Sequence, residues 1–371
     1  MLIIAALHKL KFSEVAIMNR VGKTVLIFFG IALALTVLFL AAFFAARLML
    51  VFDNDANASA IEKNFDEGLS QIEGDTDLRT NFLIMGKDEA SGLYDVIMLV
   101  SYNATRSEIG VVQIPRDTYA EFTESSYKKL NGAVSALGGE REFCEFLSNA
   151  FSVNIDHYIS LDLYSVGEIV DVLGGVEVEV PFDMNYEDAT QGLSIHLKKG
   201  KNILDGEAAR KFVRYRSGYL EGDLGRMDAQ KLFLAALVKK LKSDVSVFEI
   251  GAILAAVSDN IKMNVPMANV IPLAKQIMNI PAENVKFVTL AGEGAVAKAS
   301  GASYYVISRP SAIKILNEIL GAKVTEENFD KDRVFLNERY DSFCDIYNSE
   351  AEYKIFDAKT LVQSGIEIAH K

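Results

Sequence analysis

The sequence predicts an α/β protein: a layered α-β-α domain around a central mixed sheet, preceded by one N-terminal transmembrane helix. Three observations carry this. Residues 24–46 hold no charged side chain and are dominated by Leu, Ile, Val, Phe and Ala. At about 1.5 Å rise per residue, that run is long enough to cross a hydrocarbon core of roughly 30 Å. From Asn81 onward, short β-branched and aromatic runs alternate with longer runs of helical period. Strands alternating with helices imply helical layers over a largely buried sheet.

At the N-terminus, Lys9, Lys11, Arg20 and Lys23 outnumber the single acid Glu14, and beyond Arg47 the chain turns acidic at Asp53 and Asp55. Because basic flanks stay on the cytoplasmic side, residues 1–23 are expected as a cytoplasmic tail, 24–46 as the membrane helix, and the rest outside the cell. A cleaved signal peptide fits less well, since the run exceeds a typical h-region, although Ala41, Ala42, Ala45 and Ala46 supply small residues for cleavage. Polar residues 47–79, with Glu62, Lys63, Asp66, Glu67 and Glu73, read as a stalk. The folded part divides into a core at 80–242 and an extension at 243–371. No low-complexity linker separates them, so the extension is expected to pack on the same domain.

Within the core, residues 81–86 read as a buried strand ending in Gly86. Residues 96–102 and 109–114 are two more strands, joined by the polar turn 103–107. A helix is expected at 139–151, a strand at 157–161 and a helix at 164–173. Gly174 and Gly175 stop that helix, and a strand at 176–180 ends at Pro181. A short helix at 205–211 has Asp205 as its cap. Residues 212–216 read as a strand. A long helix at 223–242 carries Phe233, Leu237 and Leu241 on one stripe. Helices near 247–257 and 267–278, strands at 285–290 and 303–308, and a helix at 311–320 complete the pattern. Residues 321–371 show no pattern that places them. Cys144 and Cys344 read as separate thiols, and the four histidines (His8, His157, His196, His370) have no metal-ligand spacing.

The formal net charge is −12 although the first 23 residues are basic, so the globular part is strongly acidic. That excludes duplex nucleic acid as a partner and makes any arginine cluster informative. Arg116 and Asp117 follow Ile114 and Pro115 at a strand end, where open α/β sheets bind ligands; alone, they also fit an ordinary surface ion pair. Arg210, Lys211, Arg214, Arg216 and Arg226 form a denser group. If 212–216 is a strand, Arg214 and Arg216 share a face, an arrangement that favours an anion between them. Arg226 and Gln230 continue the apolar stripe and so point inward, at a helix N-terminus suited to anions. A solvated basic face balanced by Glu207, Glu221 and Asp223 is the alternative. Asp88 and Asp95 sit at strand ends and suit either a hard cation or ordinary turns.

Seven motifs then stand in order: NFLIMGKD at 81–88, YDVIMLV at 94–100, IPRD at 114–117, KLN at 129–131, VLGGV at 172–176, VRYR at 213–216, and GDLGR at 222–226 followed by Gln230. Over residues 80 to about 242, and in the apolar run before them, the chain resembles the LytR-CpsA-Psr family. The resemblance implies an extracellular, membrane-anchored phosphotransferase that moves a glycopolymer, teichoic acid-like or capsular, from undecaprenyl pyrophosphate to peptidoglycan. A muramic acid hydroxyl attacks the sugar-linked phosphorus and undecaprenyl phosphate leaves. Arg116, Arg214, Arg216, Arg226 and Gln230 would then bind the pyrophosphate, Asp88 and Asp95 would hold Mg²⁺ (or Mn²⁺), and Asp117 and Asp223 would orient arginines. The chain departs from the family pattern at four positions. Leu93 and Tyr94 stand in place of an Arg-Ser pair, Ala229 replaces an Arg, and Ala120 sits where some members carry a basic residue. This thins the expected clamp and keeps two other functions open: a non-catalytic binder of polyprenyl-phosphate lipids that regulates or scaffolds wall assembly, and a polyprenyl pyrophosphate hydrolase.

Overall fold

A mixed sheet of seven strands lies at the centre of the computed structural model, which describes residues 78–88, 91–122, 128–188, 193–244, 247–298 and 300–370. The expected tail, membrane helix and nearly all of the stalk lie outside the described residues, among which no helix is long and apolar enough to cross a membrane. Strands β1 (Arg79–Lys87), β2 (Tyr94–Asn103) and β3 (Glu108–Gln113) form an antiparallel meander. Next to β1 runs β4 (His157–Asp162), parallel to it. Two small antiparallel pairs follow in the chain: β5 (Val176–Val180) pairs with β8 (Gly200–Leu204), and β6 (Met184–Asp188) with β7 (Leu193–Leu197). The antiparallel strand β9 (Ile261–Met263) closes one edge of the main sheet beside β4. On the other side β10 (Val285–Thr289) pairs parallel with β3. The hairpin β11 (Gly292–Val296) and β12 (Ser303–Ile307) precedes the last edge strand, β13 (Phe356–Asp357), which pairs antiparallel with β10.

Helices cover both faces. The first face carries α1 (Ala133–Leu137) and α2 (Glu140–Phe151). The second carries α3 (Leu163–Val172), α4 (Gly206–Arg214), α5 (Asp223–Asp244), α6 (Val247–Val257) and α7 (Met267–Asn279). Then α8 (Arg309–Leu320) and α9 (Asp341–Asn348) return to the first face, and α10 (Ala358–Ser364) to the second. The alternation along β2 shows why its central run, Val96 to Val100, is apolar. Ile97 and Leu99 enter one core with Phe143, Phe151, Ile315 and Phe343. Met98 and Tyr102 enter the other with Val170, Phe212, Phe233 and Leu361. A strand buried on both sides has no polar face to show.

Two sequence expectations are corrected here. Residues 212–216 are not a strand. Helix α4, capped by Asp205 accepting from the Ala208 amide, continues through Arg214, and Tyr215 turns extended (φ −60°, ψ 133°). Ala209, Phe212 and Val213 are buried at helical spacing, and this packing overrides the β-preference of a short Phe-Val run. The polar hairpin β6–β7 and strands β8 and β11 were not recognised, being short and rich in exposed residues.

Of the last fifty residues, unplaced from sequence, those from Val324 to Tyr347 pack on the first face, while Ala358, Leu361 and Ile368 enter the second. Their anchor is Asp330, 3% exposed. Its amide donates to the Ala150 carbonyl at 2.7 Å. Its carboxylate accepts from the Val334 amide at 2.5 Å, the Phe335 amide at 3.1 Å and the Tyr347 hydroxyl at 2.7 Å. Burial pushes this carboxyl up to about 6 from 3.8. The folded chain therefore keeps a proton that the unfolded chain has already lost, and the stability contributed by this group declines as pH rises from about 4 to 6. Urea denaturation of the parent and Asp330→Asn at pH 4 and pH 6.5 should show the difference between them moving in the variant's favour with rising pH, by on the order of 3 kcal/mol. A difference independent of pH would mean that Asp330 titrates normally.

Candidate active site

Strand ends gather at one edge of the sheet. The register opposes Lys87 to both Tyr94 and Asp162, and Met98 to Gln113. The carboxyl ends of β1, β3 and β4 therefore lie beside the amino end of β2, the edge at which open α/β sheets place ligands. Asp88 leaves β1, Asp95 lies at the start of β2, and Arg116 follows β3 after Pro115. Arg214 ends α4, Arg216 lies in the turn beyond, and Asp223 and Arg226 occupy the first turn of α5. The GDLGR motif makes that approach sterically feasible. Gly222 adopts φ +57°, which favours glycine. A Cβ on Gly225 would come within 2.6 Å of the Tyr219 Cβ.

The structure thus brings together residues spread over more than a hundred positions. Asp88, Asp95, Arg116, Arg214, Arg216 and Arg226 line a polar cleft of about 570 Å³. Arg226 is its buried centre, with a side chain only 4% exposed. One terminal nitrogen lies 3.1 Å from Asp95 Oδ2 and the other 3.0 Å from Asp223 Oδ1. Arg116 donates to Asp95 Oδ1 at 2.5 Å and places Nε 3.5 Å from Asp223 Oδ1. Arg216, about half exposed, holds Nε 3.3 Å from the same oxygen. Arg214 reaches Asp88 Oδ2 at 3.8 Å, while Asp88 Oδ1 accepts from the Ser91 amide and hydroxyl at 2.8 and 2.9 Å.

Four guanidiniums thus meet three carboxylates, leaving a positive excess in an acidic protein. Burial pulls the Arg226 guanidinium below its ordinary range. At Arg116 burial acts the same way, but Asp223 and Asp95 outweigh it and hold that group above its range. Arg116 Nε, Arg226 Nε and the Tyr219 hydroxyl are buried without a hydrogen-bond partner. Buried donors of this kind are costly unless an acceptor meets them.

Two expected residues stand elsewhere. The Asp117 carboxylate pairs with Lys129 at 3.3 Å and acts on Arg116 only through its charge. Asp95, read from sequence only as a metal ligand, shares the arginine-holding role with Asp223. Gln230 is buried as its stripe implied, but its amide donates to the Val213 carbonyl at 3.2 Å. It lines a second cavity, of about 240 Å³, walled by Val166, Val213, Phe233 and Leu237 among other apolar side chains. That apolar cavity shares Asp88, Asp95, Arg214 and Arg226 with the polar cleft, so the charged cluster forms its mouth. The departures at Tyr94, Ala120 and Ala229 are buried at 4%, 0% and 0% exposure; they are packed into the protein rather than left as gaps in the cleft. The sequence reading also missed the hairpin β6–β7, which contributes Tyr186 and Leu193 to the cleft wall.

Asp88 and Asp95 present carboxylates to one cleft, and among the described residues no group of three or more His, Cys, Asp or Glu forms a metal cage. This donor set fits Mg²⁺, which commonly takes one or two carboxylates and draws its other ligands from water and phosphate oxygens.

A cationic cleft opening into an apolar cavity defines a protein built for an anion with an apolar tail. The chain belongs to the LytR_cpsA_psr family, whose model matches residues 48–320. It is 29% identical over 205 residues to the polyisoprenyl-teichoic acid–peptidoglycan teichoic acid transferase TagV of Bacillus subtilis, covering 54% of this chain and 52% of that one. It therefore spans about half the length of that relative. Against TagU of Bacillus mycoides, a transferase of the same description, it is 28% identical over 279 residues, covering 70% of this chain and 88% of that one. The crystal structure of B. subtilis TagV superposes with a TM-score of 0.57 at 25% identity, over 67% of this chain and all of the other.

The cluster predicts a sharp split between its members. Arg226→Ala removes the buried partner of the half-buried Asp95 and Asp223 and should cost about 3 kcal/mol of folding stability in urea denaturation. Arg216→Ala, at the exposed rim, should change stability by less than about 1 kcal/mol. Equal costs for the two would contradict Arg226 as the structural centre.

Proposed function

We propose that this protein is a transferase that moves a phosphate-linked glycopolymer from undecaprenyl pyrophosphate to peptidoglycan and forms a phosphodiester between them. One observation carries the reading: the arginine cluster lies at the junction of a polar cleft and an apolar cavity. A lipid pyrophosphate has the same two-part chemistry, and the curated relatives are named for a polyisoprenyl-linked donor and a peptidoglycan acceptor.

In this mechanism the polyprenyl tail enters between α3, α4 and α5, and the pyrophosphate rests against Arg116, Arg214, Arg216 and Arg226. A sugar hydroxyl of the acceptor attacks the phosphorus that bears the glycopolymer. The hydroxyl gives up its proton to solvent, the bond from that phosphorus to the bridging oxygen breaks, and undecaprenyl phosphate departs carrying the new negative charge. Transfer of this kind depends on positioning and charge neutralisation more than on covalent help. Arg226, fixed by two carboxylates, and Arg116, fixed by the same two, are already oriented before the ligand arrives, so they stabilise charge without reorganising. Asp88 and Asp95 would hold Mg²⁺, which supplies further neutralisation of phosphate charge. Residues 24–46 anchor the chain with the catalytic domain outside.

Purified full-length chain in detergent, given lipid-linked glycopolymer, peptidoglycan and Mg²⁺, should release undecaprenyl phosphate only when the acceptor is present. Chelation should suppress release. Arg214→Ala should lower the rate at least about tenfold, the equivalent of one charge-assisted contact of roughly 1.5–3 kcal/mol. Lipid binding without turnover would favour a non-catalytic binder, and release that ignores the acceptor would favour hydrolysis. For the anchor, protease added to intact protoplasts should digest residues beyond about 50 and spare the tail; a protected domain would overturn the extracellular placement.

A further inference from the structure

A third cavity, of about 980 Å³, opens on the first face of the sheet. Tyr304, Tyr340, Lys128, Lys129, Asn337 and Arg339 line it. Its aromatic wall is fixed by mutual packing. Tyr304 meets Tyr119 edge-on at 5.2 Å between ring centroids, and Tyr340 lies 4.9 Å from Phe343. Tyr119 is 2% exposed, and its hydroxyl accepts from the Asn337 amide at 2.7 Å. Among the described residues the one carboxylate in the lining, Glu121, is paired with Lys128 at 2.9 Å. The groove is thus cationic in an acidic protein, with aromatic rings, a planar amide and the hydroxyls of Ser300 and Ser303. Asn337, Arg339 and Tyr340 belong to the C-terminal wrap, beyond the residues that the family model matches.

This groove is joined to the active site by a short rigid bridge. Tyr119 is three residues from Arg116, at most about 11 Å along the chain. The bridge is held on both sides by backbone hydrogen bonds: Tyr305 to Asp117 at 2.9 Å, Tyr119 to Tyr305 at 2.8 Å and Leu130 to Thr118 at 3.0 Å. Lys129 spans the two sites, pairing with Asp117 and lying 5.8 Å from the centroid of the Tyr304 ring.

We infer that this groove binds the acceptor glycan, a polysaccharide strand bearing carboxylate substituents, and delivers its hydroxyl to the cleft. The inference rests on the transferase reading for its assignment to the acceptor. The argument is geometric. The apolar cavity packs on the second face with Phe233 and Val213, whereas Tyr119, Tyr305 and Phe343 belong to the first. Phosphoryl displacement places the attacking and leaving oxygens roughly in line. If the lipid-bound phosphate leaves toward the second face, the nucleophile must arrive from the first, where the groove lies. Aromatic faces suit the apolar side of sugar rings, Asn337 suits their hydroxyls, and Arg339 with Lys128 suits carboxylate substituents.

The test is the double charge reversal Lys128→Glu with Arg339→Glu, at two residues outside the arginine cluster. With full-length protein, calorimetry with lipid-free peptidoglycan oligosaccharides should show at least tenfold weaker binding than in the parent. The KM for peptidoglycan should rise by a similar factor, while kcat and the KM for the lipid-linked donor stay unchanged. Circular dichroism and the thermal midpoint of the variant should match the parent, and Lys128→Arg with Arg339→Lys should restore binding. Unchanged oligosaccharide affinity in a folded charge-reversed variant overturns the groove. Weakened binding of lipid-free teichoic acid with unchanged binding of the oligosaccharide overturns the acceptor assignment. Oligosaccharide binding that falls as expected in a protein that transfers nothing supports the groove and removes the transferase reading instead.

Discussion

A guanidinium held almost out of water between two carboxylates is the constraint on which this site depends. Arg226 cannot be solvated where it lies, so Asp95 and Asp223 must meet it. Asp95 belongs to the central sheet and Asp223 begins α5, so this one side chain fixes the helix against the strand ends. Arg116 then attaches to both carboxylates and Arg216 to Asp223, each from another direction. Four like charges are thereby held close together by the three carboxylates Asp88, Asp95 and Asp223.

The sheet explains why these residues can meet. A meander with a parallel strand beside it brings the carboxyl ends of β1, β3 and β4 to one edge, and the turns leaving them supply Asp88, Arg116 and the wall of the apolar cavity. Hydrophobic packing fixes the strands, and the strands fix the charges. The apolar cavity and the charged cleft are therefore two sides of one arrangement, since the side chains that seal the cavity mouth are the ones that line the cleft.

Most of the architecture was legible because it rests on strong local signals. The middle of β2, Val96 to Val100, is continuously apolar since both faces are buried there, and Asp205, Gly174 and Gly175 mark helix ends by their backbone chemistry. The residues of the charged cluster were legible too, as an arginine group out of place in an acidic chain. Their pairing was not. Asp117 adjoins Arg116 in sequence yet faces Lys129, and Asp95 takes the role assigned to it, because side-chain direction at a strand end depends on register across strands. The Phe212–Arg216 segment misled for a related reason: its β-preference is weak beside the burial of Ala209, Phe212 and Val213 on a helix. The final fifty residues hold only two short helices, α9 and α10, among loops that single hydrogen bonds, such as those of Asp330, keep in place.

The order in which strands enter the sheet has a kinetic consequence. The first three strands form a local meander, but β10 joins β3 after more than 170 residues, and β13 joins β10 about seventy residues later. Asp330 bonds to Ala150 across a similar span. Closing such long loops carries an entropic cost before any contact repays it. Until the C-terminal segment arrives, β10 presents an unpaired edge, and the first-face core lacks Phe335 and Phe343. The first-face core therefore depends on residues 321–370, and their removal would leave β10 with an unpaired edge prone to aggregation.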